Sequence, residues 1–105
     1  MSLDFSKPKE LKVVSPSGEE QTFVLKRVPL VDVDRDRLSL ENLTSRYNDK
    51  SIKFLGFAVR FVRSVTVGFK ARDLKDYDAV DLSQVIAELA RLRTGGVSEK
   101  EKKSQ

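Results

Sequence analysis

The most apolar stretch of the chain, residues 51–69 (SIKFLGFAVRFVRSVTVGF), constrains the fold more than any other segment. As a helix, it carries a wide apolar surface formed by Ile52, Leu55, Val59 and Val62 and widened by Phe54, Phe57, Phe61 and Val65. Lys53, Arg60 and Arg63 then remain for a narrow outer face. A helix with so much apolar surface is central to a core or shared with a partner.

Part of this stretch, residues 59–69, also fits a strand. The β-rich set that would share one strand face is Val59, Phe61, Val65, Val67 and Phe69, which alternates with Arg60, Ser64 and Thr66. Strands rarely run as long as the whole segment, and its lysine and arginine residues recur at helical spacing. We therefore expect a helix to about residue 66.

A β-hairpin is predicted near the N-terminus, from two β-rich runs at residues 11–14 and 22–28. Between them, Pro16 and Gly18 occupy the second and fourth positions of a four-residue segment, which suits a type I turn. Period-2 alternation predicts one shared face for Leu11, Val13, Phe23, Leu25 and Arg27. A lone hairpin is marginally stable, so this one is expected to pack on helices or to pair with another chain.

Two further helices are predicted on either side of the apolar segment. The first follows a cap at Asp32 or Asp34, and its helically spaced apolar residues are Val33, Leu40, Leu43 and Tyr47. The second is predicted to start with a capping box formed by Asp81 and Gln84 and to end at Gly95-Gly96. Its apolar stripe consists of Leu82, Val85, Ile86, Leu89 and Leu92.

These segments predict one α+β domain, in which an N-terminal β-hairpin precedes a small bundle of about three helices. We expect a flexible arm at residues 1–10 and a folded domain at 11–93, divided into a hairpin (11–28) and a helical part (30–93). Residues 94–105 have almost no apolar content and are expected to be disordered. No run approaches the roughly 20 apolar residues of a membrane span.

The composition argues against an enzyme. The 105-residue chain contains no Cys and no His, the residues that most often ligate zinc, shuttle protons or activate nucleophiles. The acidic run VDVDRDRLS, at residues 31–39, lacks the Gly and Glu positions of a calcium-binding loop. We therefore expect no catalytic residue, no cofactor and no metal ion.

Charge is distributed unevenly along the chain. Between residues 46 and 72 there are seven basic residues and one acidic residue, Asp49. Residues 73–93 reverse this balance with five acids against three basic residues. Such asymmetry fits a nucleic-acid surface, complementary faces within or between subunits, or simply solvated helix faces.

A partner-binding surface is the sharper interpretation of the apolar segment. Phe54, Phe57 and Phe61 could bind a partner helix in a groove. Arg60 and Arg63 would then flank this groove. Ordinary core packing of the same phenylalanines is the alternative.

The order of segments resembles the small tail assembly chaperones of long-tailed bacteriophages. In that family a short hairpin, of the type seen at residues 11–30, precedes helices that end in a hydrophobic-Gly-hydrophobic step, an acidic linker and a terminal helix. The corresponding residues here are Val67-Gly68-Phe69, Asp73-Leu74, Tyr77-Asp78 and Asp81-Leu82. The resemblance covers residues 11–93, although residues 31–43 are more highly charged than expected for the family.

The resemblance implies a noncatalytic chaperone that binds the tape-measure protein and recruits tail-tube subunits. Such a protein acts in the host cell cytoplasm and is absent from the mature virion. It binds no membrane, and self-association is compatible with its charge pattern.

Two alternatives remain open from the sequence. One is a small nucleic-acid-binding phage protein whose phosphate contacts would be Arg46, Lys50, Lys53, Arg60, Arg63, Lys70 and Arg72. The other is a structural tail component that polymerises through the edge of the hairpin.

Overall fold

The computed structural model describes residues 4–93, and the predicted Gly95-Gly96 stop and the tail at 94–105 lie outside this range. In the described range the chain forms β1 (Glu10–Val14), β2 (Glu20–Leu25), α1 (Val33–Asn48), α2 (Phe54–Val65), β3 (Thr66–Val67) and α3 (Ala79–Arg93). Two short 3-10 helices, Leu30–Asp32 and Ala71–Leu74, lie in the connections. A three-stranded antiparallel sheet with three α-helices confirms the predicted α+β class.

The predicted hairpin is present, but the predicted shared face forms only in part, because Leu25 lies outside the β1–β2 register and Arg27 lies beyond the end of β2. Leu11 of β1 lies opposite Phe23 of β2, and Val13 lies opposite Gln21. The first strand begins at Glu10, inside the segment predicted as an arm, and the backbone of Lys9 also accepts a hydrogen bond from Leu25 at 2.9 Å. The second strand is shifted relative to the prediction, because it begins at Glu20 and ends at Leu25.

The hairpin turn explains why glycine stands at position 18. The Ser15 carbonyl accepts the Gly18 amide at 2.8 Å, and the Ser15 amide donates to the Glu19 carbonyl at 2.7 Å. Gly18 has φ +92°, in the left-handed region that favours glycine. A three-residue loop that ends on a left-handed residue is a common way to close a hairpin.

The apolar segment contains both a helix and a strand. The helix α2 ends at Val65, one residue before the predicted limit, and the backbone becomes extended at Thr66. The Thr66 hydroxyl donates to the Val62 carbonyl at 2.6 Å, while the Lys26 amide donates to the Val65 carbonyl at 2.8 Å. The end of the helix is therefore joined directly to the central strand, β2, which pairs with β3.

One face of α2 supplies the centre of the core. Its buried residues are Phe57, Ala58, Phe61, Val62 and Val65. Leu55, which was predicted in the apolar stripe, is 63% exposed, and Ile52 lies before the helix begins. The stripe prediction was wrong at Leu55, because the helix is apolar on several sides and its neighbours α1, α3 and β3 decide which side is covered. Ile52 packs partly against the core from the segment before the helix.

The terminal helix has the predicted apolar stripe but a different start. Leu82, Val85 and Leu89 are buried, whereas Ile86 and Leu92 pack partly against the core. The helix begins at Ala79, where the Asp78 carboxylate accepts the Asp81 amide at 2.8 Å. The predicted Asp81–Gln84 box is therefore wrong, since Asp78 offers the same three-residue spacing one turn earlier.

The helix α1 is confirmed, and Asp32 lies at its predicted N-cap position, but the expected capping hydrogen bond is not formed. Leu43 is the one buried residue of the helix, and Leu40 and Tyr47 pack partly against the core. Val33 remains exposed, so the apolar contact of this helix is narrower than its sequence suggests.

The acidic connection before α3 is attached to the sheet through Gln21. The Gln21 amide nitrogen donates to the Asp73 carbonyl at 3.1 Å, and the Tyr77 hydroxyl donates to the Gln21 side-chain oxygen. Burial of the hydroxyl, with a smaller contribution from nearby aspartates, raises the pKa of Tyr77. The acidic segment therefore has a fixed position beside the hairpin.

Replacing Leu89 with alanine should strongly destabilise the fold, because this side chain is fully buried in α3. We expect Leu89→Ala to lower the free energy of unfolding by about 2–5 kcal/mol. Leu55→Ala is the matched control and should change it by less than about 0.5 kcal/mol. Urea denaturation measures both, and equal midpoints for the two variants would contradict the assignment of the core.

The start of α3 can be tested with Asp78→Ala. Loss of the cap to the Asp81 amide should lower the free energy of unfolding by about 1 kcal/mol. The exposed Asp76 makes no such contact in residues 4–93, so Asp76→Ala should cost less than about 0.5 kcal/mol. Urea denaturation measures both variants. If Asp76→Ala loses more stability than Asp78→Ala, the cap of α3 lies elsewhere.

Candidate functional site

The phenylalanines that were predicted to bind a partner lie mostly in the core. Phe57 and Phe61 are buried, with ring centroids 5.9 Å apart, and Phe57 stacks on Tyr47 at 4.8 Å. Phe54 contacts Tyr47 at 5.9 Å and is half-buried. Of the three rings, only that of Phe54 leaves appreciable surface for a partner, and the binding role of this group stays a prediction.

The two predicted arginines lie at the surface, in a groove of about 510 Å³ between α1 and α2. From α2 the groove is lined by Arg60, Arg63 and Ser64. From α1 it is lined mainly by Arg35, Leu38, Ser39, Asn42 and Arg46. We call this feature the arginine groove.

The residues of α1 in the arginine groove form one stripe on the helix surface. Positions 35, 38, 39, 42 and 46 follow the spacing that places residues on a single helical face. The charge pattern of the sequence pointed to Arg46 but not to Arg35 or to the polar residues between them. The helical spacing itself was the available signal, although the position of α2 beside this face depends on tertiary packing.

The arginine groove is strongly positive. None of its lining residues is acidic. Arg35 has a loose, exposed ion pair with Asp32 at 3.9 Å. Within residues 4–93, Arg46, Arg60 and Arg63 form no ion pair with a carboxylate. Four guanidinium groups therefore face a shared groove with little internal neutralisation.

The remaining basic residues of the 46–72 run lie elsewhere. Lys50, Lys53, Lys70 and Arg72 are exposed and do not line the arginine groove. The fold therefore divides the seven basic residues of this segment into two groups. Three of them line the arginine groove, and the other four lie apart from it on the surface.

A second surface feature is apolar. Leu30 and Val31, in the 3-10 helix before α1, are 89% and 86% exposed. Together with the exposed Val33, they form what we call the apolar ledge. Val33 also borders a depression of about 850 Å³ that reaches Phe5 and Pro29. No motif in the sequence indicated the ledge.

An ion pair beside this depression joins the first helix to the last. The Asp36 carboxylate contacts the Arg93 guanidinium, and both side chains are largely buried. Burial lowers the pKa of Arg93. The pair fixes the end of α3 against the start of α1, and both of its residues line the same depression as Val33.

Residues 4–93 contain neither a metal-binding cluster nor a membrane-spanning helix. Across residues 4–93, no group of three or more Asp or Glu side chains is arranged to hold a metal ion. In the same range, no helix combines the length and apolar character needed to cross a membrane.

Comparisons with known proteins give no assignment. No family model matches the sequence. Comparison with curated proteins and with solved structures likewise gives no match.

The Asp36–Arg93 pair should contribute measurably to stability. We expect Asp36→Asn to lower the free energy of unfolding by about 1–3 kcal/mol, because it leaves a largely buried guanidinium without its carboxylate. Asp34→Asn removes a carboxylate from the same helical turn but breaks only an exposed 3.3 Å pair with Arg37, so it should cost about 0.5 kcal/mol or less. Thermal and urea unfolding measure both variants. An equal loss of stability in the two would contradict a stabilising role for the Asp36–Arg93 pair.

Proposed function

We propose that this protein is a noncatalytic tail assembly chaperone of a long-tailed bacteriophage. In this proposal it binds the tape-measure protein in the host cytoplasm, recruits tail-tube subunits and leaves before the virion is complete. The client and the setting follow from the family resemblance of residues 11–93. The observation that carries the binding role is the apolar ledge.

The ledge supports binding because its side chains contribute little to the fold of the isolated chain. Leu30 and Val31 are almost fully exposed in a protein with 34% charged residues. Burial of each side chain against a partner would contribute roughly 1.5–3 kcal/mol to association. Exposed apolar clusters of this kind mark interaction sites on small soluble domains.

A chaperone of this type needs exposed apolar surface on both partners. A long helical client presents apolar stripes before it is packed in the tail, and these stripes drive aggregation. The ledge can cover such a stripe, while the charged surface around it keeps the complex in solution. The whole sequence contains neither His nor Cys, which favours this binding role over catalysis.

Nucleic-acid binding is the second candidate, and one observation favours it. Arg35, Arg46, Arg60 and Arg63 converge on the arginine groove without an acidic lining residue. Phosphate binding there would weaken steeply with salt, with a log-log slope of about one per phosphate contact. The exposed ledge has no role in this second function.

The proposed function can be tested by co-expression with the proposed client, a long helical tape-measure protein. We expect the client to be soluble with the wild-type chain and to aggregate without it. The double variant Leu30→Ser with Val31→Ser should lose at least half of the soluble client, because it removes the apolar ledge. The matched control is Leu55→Ser with Val80→Ser, since these residues are 63% and 65% exposed but lie outside the ledge.

Fractionation and quantitative blotting of the client give the readout. Equal client solubility with and without this chain would refute the proposed function. Equal loss in the two double variants would refute the assignment to the ledge.

A further inference from the structure

We propose that the arginine groove binds an acidic, amphipathic helix, and in particular a segment of the client protein. This inference rests on the proposed function and names the chemistry of the client segment. Its basis is the shape, the charge and the apolar content of the groove between α1 and α2.

The groove has the dimensions of a helix-binding site. Its α1 wall runs from Arg35 to Arg46, which corresponds to about 16 Å along a helix axis, or about three helical turns. The opposite wall is one face of α2, formed by Arg60, Arg63 and Ser64. A helix that lies between two helices is a common mode of peptide recognition.

The charge of the groove indicates that its occupant is negatively charged. The wall formed by α1 carries an arginine near each end of the groove, at positions 35 and 46, and α2 adds Arg60 and Arg63. Guanidinium groups bind carboxylates in a planar, two-pronged geometry. Glutamate or aspartate side chains on both flanks of a bound helix would therefore meet arginines on both walls.

The apolar content of the groove distinguishes a protein helix from a nucleic acid. Leu38 lines the groove and is 57% exposed, and the buried Leu43 lies at its base. A nucleic-acid backbone would leave Leu38 without an apolar partner. An amphipathic helix would instead place its own apolar stripe over Leu38 and its acids over the arginines.

The polar residues of the groove fit the same occupant. Ser39 and Asn42 lie between the two arginines of α1, and Ser64 lies on the opposite wall. Their hydroxyl and amide groups can hydrogen-bond to carboxylates or to polar side chains on the flanks of a helix. The groove therefore offers apolar, cationic and hydrogen-bonding contacts together.

The test uses the full chain and a fluorescent synthetic helical peptide of about 15 residues, with leucines at helical spacing and glutamates on both flanks. Fluorescence anisotropy at near-physiological salt measures the dissociation constant. A second peptide with glutamine in place of every glutamate should bind at least about tenfold more weakly, because the carboxylate contacts are lost.

Two variants of the protein test the location of the site. Arg60→Glu with Arg63→Glu should weaken binding of the acidic peptide by at least about tenfold. The matched control is Lys53→Glu with Arg72→Glu, which makes the same change in net charge at exposed positions outside the groove and should have less than about a threefold effect. Equal losses in the two variants would overturn the proposal.

A single apolar substitution tests the nature of the occupant. Leu38→Ser should weaken peptide binding about fivefold or more, whereas Leu55→Ser, at a similarly exposed leucine outside the groove, should not. A single-stranded oligonucleotide is measured in parallel. If it binds more tightly than the peptide, loses affinity in the arginine variant and is unaffected by Leu38→Ser, the groove is a nucleic-acid site and the proposal is wrong.

Co-expression with the client separates this inference from the proposed function. Loss of client solubility with the Arg60/Arg63 variant supports both. Full client solubility with that variant would overturn the groove assignment while leaving the chaperone role intact. Circular dichroism spectra like that of the wild type establish that each variant is folded.

Discussion

The structure depends on burial of one face of α2. Phe57, Phe61 and Val62 occupy the centre of the core, and α1, α3 and the sheet reach the core through contacts with this helix or its continuation. A chain of 105 residues has room for one modest core, so its parts share the same small set of apolar side chains. The surface features then follow from what this packing leaves uncovered, namely the arginine groove on one side of α1 and the apolar ledge before it.

The junction between α2 and β3 connects the helical part of the fold to its sheet. No loop separates the two elements, because Thr66 caps the helix through the Val62 carbonyl and continues directly as a strand. This arrangement explains why periodicity gave two acceptable interpretations of the same residues. The helical prediction was confirmed up to Val65, and of the residues that fitted a strand only Thr66 and Val67 form one.

Local physics made much of the fold predictable from the sequence. The Pro16 and Gly18 turn signal and the Leu11–Phe23 pairing follow from short-range rules, and so does the apolar stripe of α3. The pairing of β3 with β2 was not predictable in this way, because only two residues of β3 take part and they lie far along the chain. The arginine groove was predicted only in part, since Arg35 joins Arg60 and Arg63 through the packing of two helices rather than through any motif.

The late position of β3 in the chain affects the order in which the protein can fold during synthesis. As translation proceeds, the hairpin leaves the ribosome with the far edge of β2 unpaired, and this edge stays open until Thr66 and Val67 emerge behind α2. The nascent N-terminal half therefore exposes a strand edge and the apolar side of a hairpin for the time needed to make the middle of the chain. Thr66 and Val67 thus set the moment at which this edge of β2 can first be covered, and the core is completed later, when α3 emerges with its buried Leu82, Val85 and Leu89.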